Sequence, residues 1–279
     1  MTRRSTIWLL AKQEFALSLR SRWTQTFTVV FGVFALAVAS SGYVLSGGSG
    51  LQDFSRTAAS LLQLVLFLVP LTALVFGVMA LTPDTGAAEL LFSQPVSRTV
   101  ILAGKLLGLL LALLAAQTIG FGLAGATLGI RTGTDGIASF AGVWIGAAAL
   151  TAVFLAIAAA IAGGGTSIRR ARSLAVALVV WFVAVVLFDI AALGVASVLP
   201  SGTASRTLMI SAIANPVDAI RTGTLLVAEG TTAFGAASLA FLRFTGGSMA
   251  AAAWISASAI LWTIVPCVVA ARRLRRADL

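Results

Sequence analysis

The chain has 279 residues, of which 59% are hydrophobic and only 10% are charged, and its mean hydropathy is +1.04. A compact soluble domain is about one quarter charged, so much of this chain is expected to have lipid as its solvent. With one cysteine, Cys267, and no histidine, the sequence excludes an internal disulfide and most metal and acid–base sites.

The first predicted element is an interfacial helix over residues 5–21. An apolar stripe recurs at spacings of three and four residues, formed by Trp8, Ala11, Phe15 and Leu19. The side chains expected to face lipid headgroups are Lys12, Gln13, Arg20 and Arg22. The apolar run Ile7–Leu10 is too short for a signal peptide, and no cleavage site follows it. The alternative is that this segment is merely the flank of the first membrane span.

Six apolar stretches are long enough to cross a bilayer core of roughly 30 Å, which takes about 20 helical residues. The predicted spans are residues 23–45, 58–81, 99–129, 137–162, 174–199 and 248–271. The third is the longest, so we expect it to tilt or to begin in the cytosol. Pro70 and Pro266 fall inside spans, where neighbouring helices can satisfy the carbonyls that a proline leaves free. The predicted fold is an all-α integral membrane protein with one transmembrane domain over residues 1–279.

The distribution of basic residues predicts that both termini are cytoplasmic. With the N-terminus inside, 14 of the 19 lysines and arginines fall in inner segments, as the positive-inside rule requires. The net charge of +10 is therefore interpreted as a topology signal, and a nucleic-acid partner is not expected. The predicted location is the cytoplasmic membrane of a bacterium or archaeon.

The inner loop at residues 82–98 has an unusual composition for a connection between spans. Pro83, Asp84 and Gly86 mark a turn, and residues 87–92 favour a short helix that ends before Pro95. The apolar residues 90–92 beside an acidic side chain predict a knob that docks in a partner's groove. The alternative is a re-entrant or interfacial connection that has no partner.

Two further loops carry information about function. The inner loop 163–173 is glycine-rich and basic, but it has no phosphate-loop spacing, and no ATP site is encoded anywhere in the chain. The outer region 200–247 is too long for a plain turn. Residues 215–218 (NPVD) predict a helix start, Ala219–Val227 a short helix, and Ala233–Phe244 a second helix across the outer face. We expect these helices to form an outer cap between spans five and six.

Polar residues within the predicted spans are few. Asp189 is the only acid deep in a span, and Gln63 and Gln117 reach comparable depths, so we expect them to hydrogen-bond it. Asp189 then either lines a polar path or latches helices together. The pairs Gly104/Gly108 and Gly125/Gly129 on the third span permit close approach of another helix.

The loop sequences resemble those of a known family. An amphipathic first helix leading into LRSRW, then six spans and an inner LLFSQPVSR, is similar to the ABC-2 class of ABC transporter permeases. More narrowly, residues 52–77, 89–98 and 214–221 resemble the NosY family, the membrane subunits of NosDFY complexes that help to mature nitrous oxide reductase in denitrification.

This resemblance implies a homodimer bound to two NosF-like ATPase subunits, which would hold ATP and Mg²⁺, while this chain would bind no cofactor and no metal and catalyse no reaction. The 5–21 helix would be the elbow helix. The residues that would couple to the ATPase are Gly86, Glu89, Leu90, Leu91, Phe92, Pro95 and Arg98. The residues that would cap the outer face near a periplasmic NosD-like protein are Asn215, Pro216, Asp218 and Arg221. A NosL-like copper chaperone would work with the complex.

A copper path through the spans is not expected from these residues. Copper prefers soft or imidazole ligands, and the chain offers only Cys267 and the scattered Met79, Met209 and Met249. Transport of a sulfur-containing species, or mechanical signalling across the membrane, fits better. The alternatives are an ABC-2 exporter of a lipid, drug or other small molecule, and a stand-alone secondary transporter.

Overall fold

The computed structural model describes residues 3–45, 53–82, 96–132, 137–162, 170–229 and 236–276, and the regular structure in these ranges is helical. The first helices are α1 (Arg3–Arg20), α2 (Arg22–Leu45), α3 (Asp53–Leu81), α4 (Arg98–Thr132), α5 (Ile137–Ala162) and α6 (Arg170–Phe182). A π-helical turn (Val183–Leu187) joins α6 to α7 (Phe188–Ser197). The remaining helices are α8 (Ser201–Ala214), α9 (Pro216–Glu229), α10 (Ala236–Thr245) and α11 (Ser248–Arg276).

Six helical rods are long and apolar enough to cross a membrane: α2, α3, α4, α5, the continuous α6–α7 rod and α11. Each overlaps one of the six predicted spans, so the all-α, six-span prediction is confirmed. The fourth span, α5, is the centre of the bundle, with 61% of its apolar window buried. The corresponding share is 6% for both α6–α7 and α11. The fifth and sixth spans therefore lie at the periphery of the chain.

Pro70 interrupts the hydrogen-bond ladder of α3, and the fifth span supplies a donor beside the interruption. The indole Nε1 of Trp181 on α6 donates to the carbonyl oxygen of Phe67 over 3.1 Å. The two aromatic rings also meet edge to face, with 4.8 Å between centroids. The carbonyl that the missing N–H of Pro70 would have bonded is that of Leu66, one residue earlier, so satisfaction of the freed carbonyl by a neighbouring helix stays a prediction.

The first helix packs along the first half of α4, at the end of the bundle near both terminal helices, which is called the inner end below, and two glycines make this contact possible. A Cβ atom on Gly104 would lie 2.6 Å from the Cβ of Leu10, and one on Gly108 would lie 2.6 Å from the carbonyl oxygen of Ala11. The ion pair between Lys105 and Glu14 (3.8 Å) lies at the same contact. The longest span therefore uses its inner end to hold α1 in place.

The predicted apolar stripe of α1 is only partly the face that is buried. Ala11 is fully buried against α4, but Trp8 is 50% exposed and stacks beneath the Lys12 ammonium group. Leu19 is also exposed. The glycines of α4 select the face of α1 that contacts protein, and contact of the exposed part of the stripe with lipid stays a prediction.

We expect Gly108→Ala to destabilise the protein by roughly 1–3 kcal/mol, because the added methyl group meets backbone atoms that cannot move aside. Gly122→Ala on the same helix is the matched control, since a Cβ there meets nothing within 4 Å. Thermal unfolding of the two purified variants measures the difference. Equal stability of the two variants would show that the α1–α4 contact is not close.

Candidate functional site

Helices α8 and α9 form a hairpin that enters the bundle from its outer end. At the tip, the Asn215 side-chain amide donates to the carbonyl oxygen of Ala184, near the middle of the fifth span, over 2.9 Å. Trp262, near the middle of the sixth span, donates to the carbonyl oxygen of Ala214 over 2.8 Å. At the open end, Ser139 near the start of α5 donates to the carbonyl oxygen of Ala228 over 2.9 Å. The hairpin tip therefore lies level with the middle of the fifth and sixth spans.

This arrangement corrects the predicted cap across the outer face. The helix start at residues 215–218 and the following short helix are present, as α9, and α10 corresponds to the second predicted helix. However, α8 and α9 lie among the spans rather than over them. Glycines on α5 admit α9 closely, because a Cβ atom on Gly146 would lie 2.5 Å from the hydroxyl oxygen of Thr224.

Asn215, the only asparagine in the chain, organises the hairpin tip. It is 3% exposed, and its Oδ1 accepts a hydrogen bond from the backbone N–H of Val217, which caps α9. Pro216 occupies the first helical position, where its missing N–H costs nothing. The Asn215 Nδ2 also donates to Asp218 Oδ2 over 2.9 Å. One side chain thus caps α9, binds its first turn and ties the tip to the fifth span.

The tip meets the fifth span at its π-helical turn. The N–H of Phe188 there bonds to the carbonyl oxygen of Val183, five residues earlier. Such a turn widens the helix and changes which carbonyls are available to partners, and π-turns occur frequently at functional sites. Ala184, whose carbonyl accepts from Asn215, is part of this turn.

A cluster of charged side chains lies just outward of the tip, between α7 and α9. Arg221 Nη1 lies 3.7 Å from Asp189 Oδ2. The carboxyl group of Asp218 lies beside that of Asp189, so the three charged side chains form one cluster.

The cluster lines a cavity of about 450 Å³ whose other walls are formed mainly by α7 and α8. The side chains of Asp189 and Arg221 are 42% and 41% exposed. Charges exposed to this degree at membrane depth face water or protein, since contact with lipid tails would be costly. The geometry is that of a polar vestibule that opens between the fifth span and the hairpin.

Neither of the two glutamines offered by the sequence as partners of Asp189 bonds it among the described residues. Gln117 is fully buried elsewhere, and its amide Nε2 donates to the hydroxyl of Thr151 over 2.8 Å. Gln63 is exposed on α3. Arg221, placed outside the membrane by the sequence, reaches Asp189 because the hairpin carries it inward. The spacing of Asp218 and Arg221, one helical turn apart, was the available signal for a shared face.

At the inner end, basic side chains bind the final carbonyls of neighbouring helices. For α3, Lys105 donates to Ala80 over 3.1 Å and Arg170 to Thr82 over 3.0 Å. For α11, Arg98 donates to Leu274 over 3.1 Å. Arg273 donates to Ala160 of α5 over 3.0 Å. The last carbonyls of a helix have no partner within it, and cations suit its negative end.

These contacts anchor both ends of the predicted coupling loop. Thr82 at its start is held by Arg170 of the fifth span, and Arg98 at its end holds the sixth span. The sequence predicted a coupling role for Arg98 but gave no such prediction for Arg170. The other predicted coupling residues lie outside the described part of the chain: Gly86, Glu89, Leu90, Leu91, Phe92 and Pro95.

Comparison with known proteins identifies the family. Residues 8–279 match the family described as ABC-2 family transporter protein. The chain belongs to the ABC-2 transporter family. It is also 34% identical over 243 residues to the "Probable ABC transporter permease protein NosY" of Stutzerimonas stutzeri, covering 84% of this chain and 86% of that relative. The protein of the same description from Pseudomonas aeruginosa is 31% identical over 240 residues, with the same coverage.

Membership of the ABC-2 family gives the chain its general role. It is a multi-pass permease subunit of an ABC transporter, and the resemblance to NosY permeases predicted from the loop sequences is confirmed. Its described polar features fit a permease. They comprise the vestibule around Asp189, the re-entrant hairpin and the anchors at the inner end.

We expect Asn215→Ala and Asn215→Asp to separate the two roles of this residue. Aspartate retains the cap on α9 but removes the donor to Ala184, whereas alanine removes both. Alanine should therefore cost roughly 2 kcal/mol in stability, and both variants should lose function. Ser205→Ala is the control, because the exposed Ser205 hydroxyl donates to the carbonyl oxygen of Ser201 within α8 and does not line the cavity. Normal function of Asn215→Asp would show that the tie to the fifth span is dispensable.

The Asp189–Arg221 pair is tested by a double-mutant cycle. Arg221→Gln alone leaves the two carboxyl groups without their cation and should cost roughly 1–3 kcal/mol, between the values for exposed and buried pairs. Asp189→Asn in addition should restore part of that loss, since two neutral amides can still bond. The measurement is thermal unfolding of the four proteins. Strictly additive effects would mean that the two residues are not coupled.

Proposed function

We propose that this permease converts ATP hydrolysis by a partner ATPase into movement of the α8–α9 hairpin, through the fifth and sixth spans. The observation that supports this proposal is that the fifth and sixth spans contact both the 82–98 loop and the hairpin tip. At the inner end, Arg170 and Arg98 join these spans to the two ends of the 82–98 loop. At mid-depth, Ala184 and Trp262 join them to the hairpin tip.

The peripheral position of these two spans favours such movement. Only 6% of the apolar window is buried in each, so a shift of either disturbs few core side chains. By contrast, α5 is buried on most of its surface and serves as the fixed frame. The π-helical turn lies where the fifth span contacts the hairpin tip, and such turns occur frequently at functional sites.

In this proposal the 82–98 loop docks on a NosF-like ATPase that binds ATP and Mg²⁺. The complex contains two copies of each of these subunits. Both termini of the permease are cytoplasmic. The outer segments around α10 meet a periplasmic NosD-like protein, with a NosL-like chaperone delivering copper. The permeases that this chain resembles support this choice over an unrelated ABC-2 exporter. The work done across the membrane serves copper-centre assembly of nitrous oxide reductase.

The cargo of the spans themselves, in this proposal, is not copper. No group of three or more metal-binding side chains of the His, Cys, Asp and Glu types lies within the described residues. Met249 is 87% exposed at the outer end of α11, far along the chain from Cys267. Mechanical signalling, or passage of a sulfur species through the vestibule, requires no such ligands. Mechanical signalling and passage of a sulfur species are therefore the two modes included in the proposal.

We expect Arg98→Gln and Arg170→Gln to uncouple the complex without dissociating it. Each change removes a charge-assisted hydrogen bond between the loop and a peripheral span, an interaction worth roughly 1.5–3 kcal/mol. ATPase co-purification should remain normal, while maturation of nitrous oxide reductase should fall at least tenfold. Arg276→Gln, at an exposed position on α11, is the matched control. Normal maturation in both single variants and the double variant would contradict the proposed path.

Docking of the ATPase is tested separately, with Glu89, Leu91 and Phe92 changed to Ala. We expect this triple variant to lose the ATPase on co-purification, because the apolar knob that would fill the partner's groove is removed. Unchanged association and unchanged ATP hydrolysis would remove the assignment of the coupling loop. Activity of the purified chain without any ATPase would instead favour a secondary transporter.

A further inference from the structure

A groove runs along the surface between α5, α6 and α11, from mid-depth to the inner end. Its cavity measures about 500 Å³. Apolar side chains line most of its length: Ile157, Ile161, Val176, Val265 and Val269. Trp262 lies toward the mid-depth end, and Arg172 and Arg273 lie at the inner end. The groove is therefore apolar along its length and cationic at one end.

The cationic end has hydrogen-bonding capacity that the described residues do not use. Arg172 is exposed and has no hydrogen bond or ion pair within the described ranges. Arg273 uses Nη1 to bind the carbonyl oxygen of Ala160, and a guanidinium group has further N–H donors. These groups together fit an anion that carries several oxygen atoms.

The length of the groove matches one leaflet of a bilayer. Trp262 and Arg273 are separated along α11 by about 16 Å at 1.5 Å per residue, close to half of a hydrocarbon core of roughly 30 Å. The groove opens between the two spans whose windows are only 6% buried, so its open side faces the bilayer. A ligand that enters from this side has an apolar tail and a head at the membrane surface.

We propose that this groove binds one anionic phospholipid of the inner leaflet. An acyl chain lies against the apolar wall and ends near Trp262, and the phosphate group is bound by Arg172 and Arg273. Basic pockets between membrane helices bind such headgroups, and the two guanidinium groups provide planar, multidentate recognition. This site is separate from the Asp189 vestibule and does not depend on the cargo.

The test is native mass spectrometry of the full chain after reconstitution in vesicles of phosphatidylcholine, with or without phosphatidylglycerol. The natural chain should retain one phosphatidylglycerol molecule, with about a tenfold or greater preference over phosphatidylcholine. Arg172→Gln combined with Arg273→Gln should abolish the preference. Arg275→Gln combined with Arg276→Gln, on the same helix but outside the groove, should leave it unchanged.

A second variant tests the groove without altering its charge. Val176→Trp should fill the apolar wall and reduce lipid retention at least tenfold, even if the arginine variant fails to fold. Equal retention of the two lipids by the natural chain, or equal loss in both arginine pairs, would overturn the proposal. So would displacement of the lipid by millimolar inorganic phosphate. A disulfide-linked dimer formed by Val176→Cys in a Cys267→Ser background would assign the groove to a second copy instead.

Discussion

The final carbonyl groups of an α-helix have no partner within the helix, and in a membrane each unpaired carbonyl costs several kcal/mol. In this chain, side chains from other helices supply the missing donors at two depths. Lysine and arginine do so at the inner end, as with Arg170 on Thr82. Neutral donors do so at mid-depth, where Ser258 and Trp262 bind the last carbonyls of α8. Every such bond also joins two helices.

This constraint links the features that carry function. Because α3 and α11 need donors at their inner ends, the loop between α3 and α4 is tied at both ends to the peripheral spans. Because α8 ends within the membrane, its last carbonyls are tied to the sixth span, while Asn215 ties the start of α9 to the fifth. The basic residues from which the sequence predicts the topology therefore also join neighbouring helices at this end of the bundle.

Much of the fold follows from the sequence because lipid imposes simple rules. The lengths of the apolar stretches predicted the six spans, and residues 215–218 (NPVD) predicted that α9 starts at Pro216. The depth of the hairpin could not be predicted, since α8 and α9 are too short to span and carry polar residues typical of outer loops. For the same reason the meeting of Arg221 with Asp189 was missed, and Gln117 was assigned to the wrong partner. Which face of α1 is buried also depended on tertiary contact with Gly104 and Gly108.

The central claim is that the state of the inner loop reaches the hairpin through the peripheral spans. Hydrogen–deuterium exchange of peptides from residues 201–229 tests it most directly, in the complex with its ATPase, without nucleotide and trapped with ATP. ATP trapping should change amide exchange in α8 and α9 of the natural chain, and this change should disappear when both Arg98 and Arg170 are replaced by Gln. An unchanged hairpin in the natural chain, or an equal response in the double variant, would contradict the account.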